Sequence, residues 1–371
     1  MRALGIIFSN IHNETIDELT RKRTSASIPF GGRYRLIDFA LSNLVHANID
    51  NVGILAHRNY QSLMDHLGSG KDWDLSRKNG GLKIFPPFGS YKTDFLFSSR
   101  LEALLSIKGF IEKQKEDLVV LMDCDSANLI DFNEVIDYHE EKGADITLIY
   151  RHGECTEDLK SYIDLDLNEK GRVVEAKLKS KVGEITNSCI NICVIGRRLL
   201  QGLLEDAISQ GLESFHRDLI FANIKSLKIY GYEHKGVYLH VNSMENYFKN
   251  NMLMLNEDTR NALFGNKNHR IYTKVRDSAP TRYVDGAKVE NSFIADGCEI
   301  EGTVINSILF RGVKVGRGTV VENCILMQDT IVSDNVHLNY VVTDKNVTIR
   351  SRHDLSGCEA IPYYLSKNTM V

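Results

Sequence analysis

The first 250 residues alternate short apolar runs with segments of helical spacing. Four runs predict buried strands: Arg2–Phe8, Asn51–Ala56, Leu118–Met122 and Ile146–Arg151. Ser98–Gln114 and Phe132–Lys142 have helical spacing, and Asp131 is the predicted N-cap of the second helix. This alternation predicts a Rossmann-like α/β domain with a mostly parallel sheet. Ligands of such sheets bind at the carboxyl ends of the strands, which here means after Phe8 and after Met122.

The pattern changes near residue 280, where helical spacing gives way to a repeat rich in β-branched residues. Its copies begin at Asn291, Asn306, Asn323 and Asn339. In the first three copies, apolar residues follow the Asn by three and by nine positions, so they stand six apart. This spacing is typical of hexapeptide repeats and predicts a left-handed parallel β-helix with Asn and Gly at its corners. An antiparallel sandwich of short strands is the alternative.

These patterns divide the chain into an α/β domain (1–250), a linker (251–280) and a β-helix domain (281–371). Of its 371 residues, 43% are apolar and 25% are charged, which indicates a folded globular protein. A net charge of −4 argues against a general nucleic-acid-binding protein. No apolar run is long enough for a membrane span, and we expect a cytoplasmic protein. The 7 cysteines include no CxxC pair, which favours buried reduced thiols over a zinc site.

Two segments carry a resemblance to a known family. They are Pro29–Asn43 (PFGGRYRLIDFALSN) and Trp73–Gly81 (WDLSRKNGG), the second followed by Pro86 and Pro87. Both resemble the glucose-1-phosphate adenylyltransferase (ADP-glucose pyrophosphorylase) family, and the similarity covers essentially the whole chain. The resemblance implies a nucleotidyltransferase fold and a reaction of ATP with glucose 1-phosphate that yields ADP-glucose and pyrophosphate. It also implies Mg²⁺ as the cofactor and a role in glycogen biosynthesis.

The phosphate-binding loop of that family has no counterpart in this sequence. The family's glycine-rich loop corresponds to Asn10–Ile16, and no glycine occurs between Gly5 and Gly31. The loop arginine of the family falls on Thr15 and its lysine on Ser25. A loop without glycine cannot easily bring its backbone close to phosphate oxygens. We therefore expect weakened binding of the triphosphate unless another loop compensates.

The metal-binding carboxylates are altered as well. By resemblance, Asp125 is the retained metal aspartate, and Asp123 either supports it or is a strand-end carboxylate. His240 stands where the family has its second aspartate. Because Mg²⁺ prefers oxygen ligands, this replacement leaves open whether the chain binds Mg²⁺ at all.

The sugar-binding motifs also depart from the family pattern. The family's Glu-Lys-Pro corresponds to Leu178-Lys179-Ser180, and its Ser-Met-Gly corresponds to Cys189-Ile190-Asn191. Lys179 is retained and is the candidate for binding the sugar phosphate, although a solvated surface lysine is the alternative. Leu178 and Ile190 cannot donate hydrogen bonds to sugar hydroxyls from their side chains.

The basic residues that precede and enter the signature segment are candidates for an effector site. Family members respond to small phosphorylated metabolites, and the resemblance places Lys22, Arg23 and Arg35 at the matching positions. Arginine is suited to two-pronged contacts with phosphate. Arg311 and Arg317 of the β-helix could join this site. A solvated basic surface is the alternative reading.

Together these departures predict a regulatory subunit of the type found in Firmicute-like bacteria, inactive alone and joined to a catalytic subunit in a hetero-tetramer. Its expected ligands are a phosphorylated effector and, left open, ATP or ADP-glucose. We expect no nucleic-acid or membrane partner. Two alternatives stay open: a weak but genuine nucleotidyltransferase, and a homo-oligomeric sugar-nucleotide sensor.

Overall fold

The computed structural model describes residues 1–9, 16–87, 97, 99–156, 163–178 and 181–371. Contacts within this part of the chain define two compact units. The first contains the described residues of 1–12, 39–124 and 128–236, and the second contains those of 13–38, 125–127 and 237–371. The basic and signature segments before residue 39 therefore belong to the same unit as the C-terminal repeats.

The secondary structure follows the predicted alternation. The α-helices in the described ranges are α1 (Asp17–Thr20), α2 (Leu36–His46), α3 (Gln61–Leu67), α4 (Arg100–Ser106), α5 (Lys108–Glu112), α6 (Phe132–Glu141), α7 (Arg197–Gln210), α8 (Met244–Met252) and α9 (Glu257–Phe264). The strands before the repeats are β1 (Ala3–Phe8), β2 (Pro29–Phe30), β3 (Tyr34–Arg35), β4 (Asn51–Leu55), β5 (Gly81–Phe85), β6 (Leu118–Asp123), β7 (Ser126–Asn128), β8 (Ile146–Glu154), β9 (Ile163–Leu167), β10 (Val173–Leu178), β11 (Ile185–Gly196), β12 (Ile229–Glu233) and β13 (Tyr238–His240).

The first unit is built on a sheet with the strand order β10-β9-β11-β6-β1-β4-β5, and β8 joins β11 to β12. Its centre is parallel, because β1 pairs in parallel with β4 and β6, and β4 pairs in parallel with β5. β11 runs antiparallel to both β6 and β8. Every residue of β1, β4 and β6 is buried, as expected for central strands of an α/β sheet.

The predicted strands are confirmed, and the predicted helices differ in one respect. Ser98–Gln114 was expected as one helix, but α4 and α5 are separated at Ile107, whose backbone leaves helical geometry (φ −109°, ψ 13°). Asp131 caps α6 as predicted, with its carboxylate accepting the Asn133 N–H at 2.9 Å. None of the helices in the described ranges is long and apolar enough to cross a membrane.

The C-terminal repeats form the predicted left-handed β-helix. Its strands are β14 (Arg282–Tyr283), β15 (Lys288–Glu290), β16 (Phe293–Ile294), β17 (Glu299–Ile300), β18 (Thr303–Ile305), β19 (Ile308–Leu309), β20 (Lys314–Val315), β21 (Val320–Glu322), β22 (Ile325–Leu326), β23 (Ile331–Val332), β24 (His337–Asn339), β25 (Val341–Thr343), β26 (Thr348–Ile349), β27 (Asp354–Ser356) and β28 (Tyr363–Leu365). They form three parallel sheets: β14-β17-β20-β23-β26, β15-β18-β21-β24-β27 and β16-β19-β22-β25-β28. The predicted interior residues Ile300, Leu309, Val315, Leu326 and Val332 are buried in one hydrophobic cluster.

The corners of the β-helix show why Asn recurs and where the repeat departs from the prediction. Asn291, Asn306 and Asn323 adopt positive φ of 41°, 45° and 49°, a region that Asn tolerates better than most residues. In the next turn, however, Tyr340 occupies the corner (φ 52°) and Asn339 ends β24. The fourth copy is therefore shifted by one residue from the predicted register.

The segment expected to be a linker contains regular structure. Within 251–280, helix α9 begins after Asn256, whose side chain accepts the Asp258 N–H at 2.7 Å. The ring of Phe264, at the end of α9, stacks on Tyr34 with 5.0 Å between ring centroids. This segment thus packs against the signature segment within the second unit.

Candidate functional site

The carboxyl edge of the central sheet contains a topological switch point between β1 and β6. From β1 the chain continues to β4 and β5 on one side, and β6 then adds on the other side. Phe8 and Asp123, the last residues of the two strands, are register partners. Open α/β sheets bind their ligands at such a point, so this edge is the expected location of a ligand site.

The structure describes part of the segment that follows β1 at this edge of the sheet. After β1, Ser9 donates its hydroxyl to the Leu55 carbonyl at 2.8 Å. The positions 10–15, where the glycine-rich loop was expected, lie outside the described residues, Thr15 among them. Ser25, at the position of the family's lysine, lies in a short 3₁₀ turn, Ser25–Ser27.

Asp125 and His240 are brought together, as their matched positions predict. His240 ends β13 and Asp125 directly precedes β7, with which β13 pairs, and His240 Nε2 lies 3.3 Å from Asp125 Oδ2. The Val241 N–H donates to the Asp125 carbonyl at 2.8 Å, and Asn250 donates to the His240 carbonyl at 2.6 Å. The His240 ring also stacks on Tyr238. Backbone bonds thus hold the imidazole against the carboxylate.

This donor set does not match the preferences of Mg²⁺. It offers one carboxylate and one imidazole, whereas Mg²⁺ takes hard oxygen ligands. Within the described part of the chain, no three His, Cys, Asp or Glu side chains are grouped as metal ligands. The contact between Asp125 and His240 is that of a hydrogen-bonded pair.

A buried ion pair occupies the switch point itself. Arg100, the first residue of α4, places a guanidinium nitrogen 2.5 Å from Asp123 Oδ1, and both side chains are only 5% exposed. The guanidinium carbon lies 4.8 Å from the ring centroid of Phe8 and 5.7 Å from that of Phe215. A cation that lies within about 6 Å of two aromatic rings and pairs with a carboxylate is stabilised by both kinds of contact.

The same arginine reaches the segment that corresponds to the family's sugar motif. Arg100 donates to the Asn191 carbonyl at 3.1 Å. Asn191 lies where the pairing of β11 with β8 is interrupted between Cys189 and Ile192, and its φ is 58°. Bulges of this kind redirect backbone groups, which here points a carbonyl at the guanidinium. Arg100 therefore links the ends of β1 and β6 with β11.

The other residues of the predicted sugar site are described in part. Lys179 lies outside the described residues, and Leu178 ends β10 with its side chain exposed. Cys189 and Cys193 are buried, which confirms the prediction for these thiols. Burial raises the pKa of Cys189 to about 11 and that of Cys193 to about 12. Both thiols are therefore protonated at neutral pH.

The predicted effector residues occupy three different environments in the second unit. Lys22 is exposed, Arg35 is half-buried at the end of β3, and Arg23 is buried. A guanidinium nitrogen of Arg23 lies 2.5 and 2.7 Å from the two carboxylate oxygens of Asp344. Arg311 and Arg317 pair instead with Asp296 and Glu301 of the β-helix, at 3.1 and 2.8 Å.

A lysine that the sequence did not single out completes this basic group. Burial and, after it, the nearby charges of Arg35, Arg23 and Arg276 lower the pKa of Lys345 to about 6, whereas Asp344 acts in the opposite direction. The hydroxyl of Tyr364 lies 3.1 Å from the Asp344 carboxylate and 2.8 Å from the Glu18 carbonyl. We name Arg23, Arg35, Arg276 and Lys345 the cation cluster. Arg23 pairs with the Asp344 carboxylate, and the charges of Arg35 and Arg276 act on the neighbouring Lys345.

Two independent regions of the sequence match family models that fit this architecture. Residues 15–175 match the nucleotidyl transferase model, and residues 279–357 match the GlmU-like C-terminal hexapeptide model. The chain is therefore a nucleotidyltransferase-type α/β protein with a hexapeptide β-helix.

Proteins of known name narrow this class to one family. The glycogen biosynthesis protein GlgD of Bacillus subtilis (strain 168) is 32% identical over 98% of this chain and 95% of its own length. GlgD of Geobacillus stearothermophilus is 36% identical over 86% of this chain and 83% of its own. The glucose-1-phosphate adenylyltransferase of Thermosipho africanus is 31% identical over 86% and 77%. The chain belongs to the family of glucose-1-phosphate adenylyltransferases and GlgD proteins.

Proposed function

We propose that this chain is a subunit of glucose-1-phosphate adenylyltransferase in glycogen biosynthesis, inactive alone and acting on a catalytic partner in a hetero-tetramer. The observation that carries the proposal is the contact between Asp125 and His240. At these positions the family resemblance implies two carboxylates, and an imidazole bonded to the remaining one cannot replace the lost negative charge. The exposed Leu178 and the buried Ile190 support the same reading, because neither offers a polar group to a sugar.

The test is an assay of ADP-glucose formation from ATP, glucose 1-phosphate and Mg²⁺. The purified chain is assayed alone, and then mixed with the catalytic glucose-1-phosphate adenylyltransferase of the same organism. We expect no turnover by the chain alone and a higher rate for the mixture than for the catalytic subunit by itself. Robust turnover by the chain alone would favour a weak but genuine enzyme instead.

An Asp125→Asn variant separates these two outcomes. If the chain is regulatory, Asp125→Asn should raise the partner's rate as well as the native chain does. If the chain turns over substrate itself, the variant should abolish that activity. A sedimentation experiment on the mixture tests the assembly, and a chain that forms only homo-oligomers and leaves the partner's rate unchanged would point to the sensor alternative.

The cation cluster supports a second part of the proposal, that an anionic effector acts through this chain. Burial and then the charges of Arg35, Arg23 and Arg276 lower the pKa of Lys345, and the negative charge of a bound phosphate would favour its protonated form. Lys22, exposed beside buried Arg23, is available to an incoming anion at the surface.

Arg35→Ala tests this part of the proposal. We expect the hetero-oligomer formed with Arg35→Ala to show a weaker response to phosphorylated metabolites, with its basal rate unchanged. Arg317→Ala is the matched control, since Arg317 pairs with Glu301 on the β-helix surface. Equal responses of Arg35→Ala and the native chain would contradict the effector proposal and leave the regulatory one standing.

A further inference from the structure

The switch point of the first unit is filled by the protein's own side chains. Arg100 supplies at this edge a charged group paired with Asp123, contacts with the rings of Phe8 and Phe215, and a donor for the Asn191 carbonyl. Its side chain is as buried as a hydrophobic core residue. Among the described residues, Arg100 thus occupies the position between the ends of β1 and β6 where open α/β sheets bind their ligands.

We propose that the Arg100 side chain fills the crevice at the carboxyl ends of β1 and β6. In the native chain it thereby excludes a nucleotide from this edge of the sheet. The proposal rests on the proposed function only in its choice of ligand class. It goes further by naming the residues that close the crevice, Arg100 and Asp123, and it concerns binding rather than turnover.

The energetics of the pair explain why an incoming ligand does not simply displace it. A nucleotide that moved the guanidinium aside would leave the Asp123 carboxylate buried without its partner, which is strongly unfavourable. The ligand would also bring its own phosphate charges towards that carboxylate. The crevice therefore opens only when both members of the pair are removed.

Two double variants separate the effect of filling the crevice from the effect of the charges of Arg100 and Asp123. Arg100→Ala/Asp123→Ala removes both side chains and leaves an uncharged space between Phe8 and Phe215. Arg100→Met/Asp123→Leu removes the same charges but keeps the crevice filled with apolar side chains of similar size. Each is made in full-length chains that also carry Arg35→Ala, which reduces binding of phosphates at the cation cluster.

The measurement is equilibrium dialysis with ATP, with folding checked by circular dichroism. We expect the Ala/Ala chain to bind ATP at least about tenfold more tightly than the Arg35→Ala parent, a difference of about 1.4 kcal/mol. The Met/Leu chain should match the parent. Equal affinities of all three folded chains, or equal gains in both double variants, would overturn the proposal.

A second experiment needs no variant and covers the case in which the Ala/Ala chain does not fold. The native chain is photolabelled with 8-azido-ATP, and the modified peptides are identified by mass spectrometry. We expect no label on the peptides that carry Phe8, Arg100 or Asp123, and label there would refute the proposal. Label on these peptides would leave the proposed regulatory function intact. Conversely, failure of the chain to change the rate of a catalytic partner would refute the regulatory function and leave the proposal about Arg100 standing.

Discussion

Two buried arginine–aspartate pairs, one in each unit, have the same shortest nitrogen–oxygen distance and different surroundings. Arg100–Asp123 and Arg23–Asp344 both bring nitrogen and oxygen to 2.5 Å. The side chains are 5% exposed in the first pair, and 3% and 4% exposed in the second. Burial and distance alone therefore do not distinguish a pair that closes a crevice from one that borders a basic site.

The neighbours of each pair make the distinction. Around Arg100 lie the rings of Phe8 and Phe215 and two protonated thiols, so the pair is balanced in charge. Next to Asp344, the charges of Arg35 and Arg276 act on Lys345, so the surroundings of the second pair are basic. We expect the apolar surroundings of the first pair to exclude a charged ligand and the basic surroundings of the second pair to favour an anion.

The largest expected effect comes from breaking the balanced pair. Asp123→Ala leaves the Arg100 guanidinium buried without a counter-charge, and we expect a loss of ~3–5 kcal/mol in the free energy of unfolding. Urea denaturation measures this loss. Arg100→Met/Asp123→Leu is the control and should be close to the native stability, because apolar side chains can replace a buried pair. A stable Asp123→Ala variant would mean that the pair is not desolvated.

Breaking the second pair should be nearly as costly, but an anion should repair it. Asp344→Ala removes the carboxylate that offsets the cation cluster, and in sulfate-free buffer we expect a loss of about 3–5 kcal/mol. Adding sulfate should restore part of this stability, while Asp123→Ala should gain no more from sulfate than the native chain does. If sulfate stabilises Asp344→Ala and Asp123→Ala equally, the surroundings of the two pairs do not differ in their affinity for anions.

A smaller effect concerns the protonation of Lys345. Its pKa of about 6 in the folded chain lies below the ordinary lysine value of 10.5, so the charged form is disfavoured by folding. The resulting destabilisation is complete below pH 6 and disappears as the pH rises towards 10.5. Lys345→Met should therefore stabilise the protein most near pH 6, with a gain that shrinks as the pH rises.

The same shift predicts how anion binding depends on pH. Sulfate keeps its charge over this range, whereas Lys345 gains a proton as the pH falls, so the native chain should bind sulfate more tightly at pH 6 than at pH 8. Isothermal titration at the two pH values measures the difference, and Lys345→Met should show a weaker dependence. An affinity that rises with pH would show that Lys345 does not take part.

The smallest effect is expected at an exposed pair. Arg317 and Glu301 lie 2.8 Å apart on the β-helix, but the arginine side chain is 77% exposed. Solvent screens such pairs, and Arg317→Ala should change the free energy of unfolding by no more than ~0.5 kcal/mol. A much larger change would indicate that surface charges of the β-helix matter more than those buried in either unit.

The parts of the fold that the sequence predicted correctly are those determined by local spacing. Apolar runs placed β1, β4, β6 and β8 within a few residues of their ends, and the six-residue spacing located the β-helix. The shift of the fourth repeat to Tyr340 was missed, because Asn339 has the right identity for a corner but the register is set by the strand that precedes it.

The candidate sites were predicted only where a motif fixed the position. Asp125 and His240 are 115 residues apart, and their contact followed from two matched motifs. Nothing in the sequence near Arg100 indicated an aspartate partner, and Lys345 lies outside every motif. The sequence showed only that Arg100 is a charged residue at the start of an apolar helix. This position does not indicate which residue it pairs with.

The sequence by itself determined the family and the order of the elements, because these depend on residue identity and local periodicity. Only the tertiary structure decided which charged side chains pair and which surroundings they have. Arg23 and Asp344 are 321 residues apart, and their contact depends on how segment 13–38 and the β-helix fold into one unit. Electrostatic energy depends on distance and burial, and neither is encoded in the local pattern of the chain.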